Sequence, residues 1–221
     1  MQPRSKWLGI QALALILWVS SSPSLLAQKS FQERLRDFKY WSDLCNLQAD
    51  AQKYDEALKS CEGAIAKKKK NAGIWADYSG VLLKLKKYPE AIAAAEKSLT
   101  LNPKTSLAIT YKCMAFQALQ RYEEALDTCT FALKVDGNWG RFSPALAWLH
   151  RGIILSQFTQ YEQAITAYDR TLLLEPKDSL TLAYACEAFV KLNQNESAID
   201  SCDQALAGNG KRGDKTAAFA W

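Results

Sequence analysis

The chain has 221 residues, 48% of them hydrophobic and 23% charged. That apolar content is ample for a continuous core. Charge is mild: with Arg4 and Lys6 set aside, 26 basic residues face 23 acidic ones, a balance that does not point to nucleic acid.

The first 27 residues are a different material from the rest. Arg4 and Lys6 make a basic start, Trp7 to Val19 is apolar apart from one Gln, and Ser20 to Ala27 is mostly polar or small. This is the pattern of an export signal, too short for a comfortable membrane span. Cleavage after Ala27 is expected, with periplasmic or secreted location. If the leader is kept, residues 7–19 anchor the protein to a membrane, with the basic end inward and the remainder outside. Ser30 and Glu33 have capping-box spacing, so residues 28–37 are expected to form a helical lead-in.

From residue 38 the chain repeats. Tyr54-Asp55-Glu56-Ala57-Leu58 returns as Tyr88-Pro89-Glu90-Ala91-Ile92, Tyr122-Glu123-Glu124-Ala125-Leu126 and Tyr161-Glu162-Gln163-Ala164-Ile165, and weakly as Asn195-Glu196-Ser197-Ala198-Ile199. Successive copies are 34 residues apart, except that the fourth follows after 39. A large residue stands thirteen before the Tyr site: Trp41, Trp75, Ile109, Trp148 and Leu182. A small one stands seven after the recurring Ala: Ala64, Ser98, Ala132, Thr171 and Ala205. Within the second copy, Trp75, Tyr78, Ser79, Leu82 and Leu85 fall at helical spacing, and so do Ile92, Ala95 and Leu99. Pro89 sits at the start of the second helix, where its missing N–H costs nothing, and Asn102-Pro103 stops that helix.

This pattern resembles the tetratricopeptide repeat, a helix–turn–helix unit. The resemblance covers five units, 38–71, 72–105, 106–139, 145–178 and 179–212. It implies an all-α, right-handed α-solenoid of about five repeats, because one unit cannot bury its apolar face alone. The particular pattern looks like exported repeat proteins of bacteria, cyanobacteria especially.

The six cysteines fall at the eighth and twenty-fourth residues of units one, three and five, as Cys45 with Cys61, Cys113 with Cys129, and Cys186 with Cys202. Both sites lie eight residues from the turn, level on two antiparallel helices. Facing Cα atoms would then be roughly 4–5.5 Å apart, within reach of a disulfide. Three bridges are expected. The alternative is that each Cys is a small buried apolar residue, as Ser79 with Ala95 and Gly152 with Tyr168 are at the same sites. Zinc has no short Cys pair to bind, and the single His is His150. No cofactor and no metal is expected.

The resemblance places the first helix of each unit on the concave surface. There the expected partner-binding groove is apolar: Ala76, Leu83, Leu107, Met114, Leu146, Leu149 and Ile153. Such a surface suits an apolar peptide or helix. The family's clamp for acidic tails is not matched, since only Asn46 fits and Ser42 stands where a Lys is needed. The partner is expected to be a protein or peptide, not nucleic acid and not a small-molecule substrate. A membrane enters only if the leader is uncleaved.

Gly208 to Gly213 fits G-x-G-x-x-G, but it follows a helix, so a helix-ending loop is expected rather than a nucleotide site. Gly140-Arg141-Phe142-Ser143-Pro144 precedes Ala145-Leu146-Ala147-Trp148, and Gly213 to Ala217 precedes Ala218-Phe219-Ala220-Trp221 in the same way. Residues 213–221 therefore read as the start of a truncated sixth unit. The function expected is an exported interaction scaffold with no catalysis of its own. The rival is a recruitment arm of a larger enzyme, such as a caspase-like protease whose domain followed.

Overall fold

A computed structural model describes residues 37–135 and 137–207. The leader at 1–27, the lead-in up to residue 36, the Gly-rich stretch 208–213 and the start of a sixth unit at 213–221 lie outside the described residues. Ten helices are described: α1 Phe38–Asp50, α2 Tyr54–Lys67, α3 Ala72–Lys84, α4 Tyr88–Leu101, α5 Ser106–Ala118, α6 Tyr122–Lys134, α7 Ala145–Gln157, α8 Tyr161–Leu174, α9 Ser179–Lys191 and α10 Asn195–Ala207. The described residues contain no strand. The fold is an all-α solenoid of five helical hairpins.

Each hairpin turns in the same way. The first helix ends with one residue in the left-handed region: Gln52, Lys86, Gln120, Thr159 or Asn193, all at φ near 60°. Around Gln52 the two closing bonds run from Lys53 N–H to Gln48 O at 2.9 Å and from Gln52 N–H to Ala49 O at 3.1 Å. This pair satisfies carbonyls that the helix end would leave orphaned. None of the five residues is glycine, so each turn carries a small conformational cost.

Three of the five first helices are capped at their starts by side chains. Asp37 accepts from Tyr40 N–H, Asn71 from Ile74 N–H, and Asp178 from Thr181 N–H. Asp178 is buried, so its carboxylate would be costly without that bond and a second from the Thr181 hydroxyl.

Small residues set the helix spacing. Ala57, Ala91, Ala125 and Ala164 are fully buried. Ser98, also fully buried, donates its hydroxyl to Ala72 O at 2.7 Å and so ties the end of α4 to the start of α3. The eighth and twenty-fourth residues meet across each hairpin and solve the contact in three ways. In units one, three and five disulfides join Cys45 to Cys61, Cys113 to Cys129 and Cys186 to Cys202, with Cα–Cα separations of 5.0, 5.3 and 5.3 Å. In unit two the Ser79 hydroxyl donates to Ala91 O at 2.7 Å, beside Ala95. In unit four the Tyr168 ring packs against Gly152, where any Cβ would sit 2.4 Å from a ring carbon. Apolar clusters follow one another along the solenoid from Trp41 to Leu182.

Second helices pack on the first helix of their own unit and of the next. First helices touch the first helices of neighbouring units: α3 with α1 and α5, and α7 with α5 and α9. The first helices therefore line the inner, concave side.

Candidate interaction face

The concave face is a row of clefts between first helices. A central cleft of about 370 Å³ has Leu83 and Met114 in its floor. Tyr88 and Tyr122 stand at its sides, with Lys84, Lys86, Gln117, His150 and Gln157 around it. His150 comes from the first helix of unit four and donates its Nδ1–H to Gln117 Oε1 at 2.7 Å. That bond crosses the seam between α5 and α7 and fixes both side chains at the rim. An apolar floor with a few oriented polar groups is the usual chemistry of a side-chain pocket.

The expected groove residues divide into two sets. Leu83, Met114 and Ile153 line clefts on the concave face, Ile153 in a second cleft of about 280 Å³ with Ser156, Tyr184 and Glu187. Leu146 is half-buried and packs beside Met114. Of the other three, Leu149 is core, while Ala76 and Leu107, though buried, line a cleft of about 220 Å³ beneath the segment before α7. Ala76 and Leu149 are 0% and 1% exposed, because their position in the first helix falls into the seam with the neighbouring unit. Leu149 packs against Tyr168, Ala185 and Ala188. Leu107 is 3% exposed and lies under the segment that precedes α7. Leu149 therefore stabilises the solenoid rather than offering a surface, which corrects the groove at that position.

That segment is the main departure from the repeat. Elsewhere four residues join a second helix to the next first helix, but here 135–144 do so. The insert does not loop away into solvent. Asn138 N–H donates to Lys104 O at 2.7 Å, and Leu107 N–H donates to Asn138 O at 3.2 Å. Gly137 is needed for this approach, since a Cβ there would lie 2.2 Å from the Lys104 carbonyl oxygen. Trp139 packs with Leu99 and Ile109. Beyond Gly140, at φ 60°, the chain crosses the concave face of units one to three. Arg141 forms an ion pair with Asp50 of α1. Phe142 meets the Tyr111 ring edge-on at 6.3 Å between centroids.

The groups beneath the insert are unusual for a concave floor. Asp77 is half-buried, and burial pushes its carboxyl above the ordinary range. The Arg141 guanidinium and a hydrogen bond from Asn46 oppose that shift. Tyr111 is buried against Gly80, whose missing Cβ lets the ring approach α3, and burial with the nearby Asp77 charge raises its phenol well above the usual range.

Asp77, Tyr111, His150 and Tyr184 were absent from the expected face. All occupy the sixth residue of a first helix. Sixth, second, ninth and thirteenth residues share one helical stripe, so the signal was available in the spacing. Among the described residues no group of three or more His, Cys, Asp or Glu side chains is placed to hold a metal ion.

A family model described as the tetratricopeptide repeat matches residues 48–108. None of the curated proteins matches the chain. Solved structures do. TTC0263, a thermophilic TPR protein of Thermus thermophilus, is 19% identical, with a TM-score of 0.70 over 83% of this chain and 97% of that one. Pseudomonas aeruginosa PilF is 15% identical, with a TM-score of 0.69 over 79% and 78% of the two chains. YrrB, described as a TPR protein with an unusual peptide-binding site, is 16% identical, with a TM-score of 0.56 over 87% and 94%. At these identities the likeness is one of fold.

Proposed function

We propose that this chain, which belongs to the tetratricopeptide-repeat family, is an exported scaffold that binds a protein or peptide partner in the central concave cleft and carries out no chemistry of its own. The observation that carries the reading is the cleft itself. Leu83 and Met114 give it an apolar part, and Gln117, His150 and Gln157 line the same space. A partner supplies one apolar side chain for the floor and main-chain groups for the amides around it. Lys84 and Lys86 at the rim favour an acidic residue beside that anchor. Anchors of this kind provide most of the affinity of a peptide interface.

Export is supported by the basic start and apolar run of residues 1–27, and by cysteine usage. All six cysteines are joined in pairs within hairpins. Such bridges persist in oxidising compartments and are reduced in most cytosols. The mature chain then starts at Gln28, which N-terminal sequencing of the exported protein checks.

The experiment for binding is capture of partners from the envelope fraction of the source cell. Met114→Glu places a charge on the cleft floor and is expected to weaken capture by about tenfold or more. Leu173→Glu, at a residue 72% exposed on the opposite side of its hairpin, is expected to leave capture unchanged. Equal capture by both variants, with helicity intact, contradicts the central-cleft reading.

A further inference from the structure

The insert at 135–144 is more than a spacer. A spacer needs no partners on the units it passes, yet this one meets three of them. Arg141 reaches Asp50, 91 residues earlier in the chain. Phe142 reaches Tyr111 of unit three. Asp77 of unit two faces the same guanidinium. The Arg141 guanidinium also lies 5.0 Å from the centroid of its neighbour's ring, so cation and ring present themselves as one block.

The receiving surface is built from parts that make little sense without such a block. Asp50 and Asp77 come from different units and converge on one cleft of about 250 Å³ with Asn46, Gly80 and Tyr111. Two carboxylates held together repel, and a half-buried one is costly, unless a cation sits between them. Gly80 lets the Tyr111 ring lie close against α3, which leaves its edge for another aromatic ring. The site thus pairs an acidic half with an aromatic half, at the spacing of consecutive side chains.

The occupant is held unevenly. Its N-terminal part is stitched down by Gly137, Asn138 and Trp139. Its tip is not: the Arg141 and Asp50 side chains are 37% and 61% exposed, and Phe142 is 37% exposed. An ion pair that open to water holds weakly, so the tip is exchangeable while its base stays in place.

We propose that Asn46, Asp50, Asp77 and Tyr111 form a recognition site for a basic residue followed by an aromatic one on a partner protein, and that Arg141-Phe142 fills this site in cis until the partner displaces it. The site rests on the scaffold reading above and specifies one part of the partner's chemistry. Binding in the central cleft and displacement of the tip belong to one concave face, so a partner that engages both gains from each.

The test is titration calorimetry on the full, oxidised chain with a synthetic peptide copying residues 137–143, beside a scrambled peptide. Arg141→Ala/Phe142→Ala empties the site. If the tip is seated nine-tenths of the time, the peptide binds this variant roughly tenfold more tightly than it binds the parent. Adding Asp50→Asn/Asp77→Asn abolishes the gain. Equal affinity for parent and emptied variant overturns the proposal, and so does absence of binding to an emptied variant whose melting matches the parent. Arg141→Gln alone, which keeps the ring and the chain length, serves if the double change lowers stability, with the same two outcomes. Loss of peptide binding beside intact Met114-dependent capture sinks this site alone. Peptide binding without Met114-dependent capture supports this site and sinks the central cleft.

Discussion

Unit two offers a direct check on the hairpin geometry, because Ser79 and Ala95 occupy the sites that hold Cys pairs in units one, three and five. Both are fully buried. Ser79→Cys/Ala95→Cys should close a fourth bridge spontaneously under oxidising conditions. A 15-residue loop closed in this way stabilises by about 3 kcal/mol in the chain-entropy account. The change also removes the 2.7 Å bond from the Ser79 hydroxyl to Ala91 O, worth about 1 kcal/mol. The net gain is about 2 kcal/mol, or a rise of roughly 4–8 °C in Tm for a chain of this size. The assay is thermal melting of the oxidised variant against the oxidised parent, with thiol titration under denaturant to show that no free thiol remains. In a solenoid the gain should spread to units one and three through their shared interfaces. Two new thiols that stay free in the oxidised variant, or a bridged variant that melts no higher than the parent, would refute the shared geometry of the hairpins.

Further outcomes follow from other positions. Thr159 is β-branched and holds φ 59°, so Thr159→Gly should stabilise by about 1 kcal/mol and raise Tm by about 2–4 °C. Leu149→Glu should abolish folding, seen as lost helicity, because the side chain is 1% exposed among Tyr168, Ala185 and Ala188, whereas Met114→Glu should fold normally. Asp77 has a raised carboxyl pKa in the folded chain, so its protonation favours folding. That contribution is present below the ordinary carboxyl range near ~4 and is lost as pH rises through the raised value. The parent should therefore lose stability relative to Asp77→Asn as pH rises through that window, in denaturant titrations at fixed ionic strength. A parent that holds or gains stability relative to Asp77→Asn as pH rises contradicts the burial of Asp77.

The all-α repeat was legible because each unit writes its contacts locally. The Tyr site opens every second helix except the fifth, where Asn195 does so, and the recurring Ala marks closest approach within a hairpin. Relations between units were less legible. Curvature brings neighbouring first helices together, so Ala76 and Leu149 enter a seam that no single-unit periodicity reveals. The path of the insert was invisible for a different reason. Nothing local ties Arg141 to Asp50, and five extra residues read as a change of period, not as a segment with partners. Asp77 and Tyr111 were within reach, since the sixth residue of a first helix shares a stripe with the second and ninth.

The most direct test of the concave face as the binding surface is site-specific photo-crosslinking in the source cell. A photoreactive residue is placed at Met114 in one strain and at Leu173 in another. An adduct to a partner protein formed from position 114 and absent from position 173 is the predicted result. Adducts from position 173 alone, or none from position 114 while the protein is folded, would contradict it.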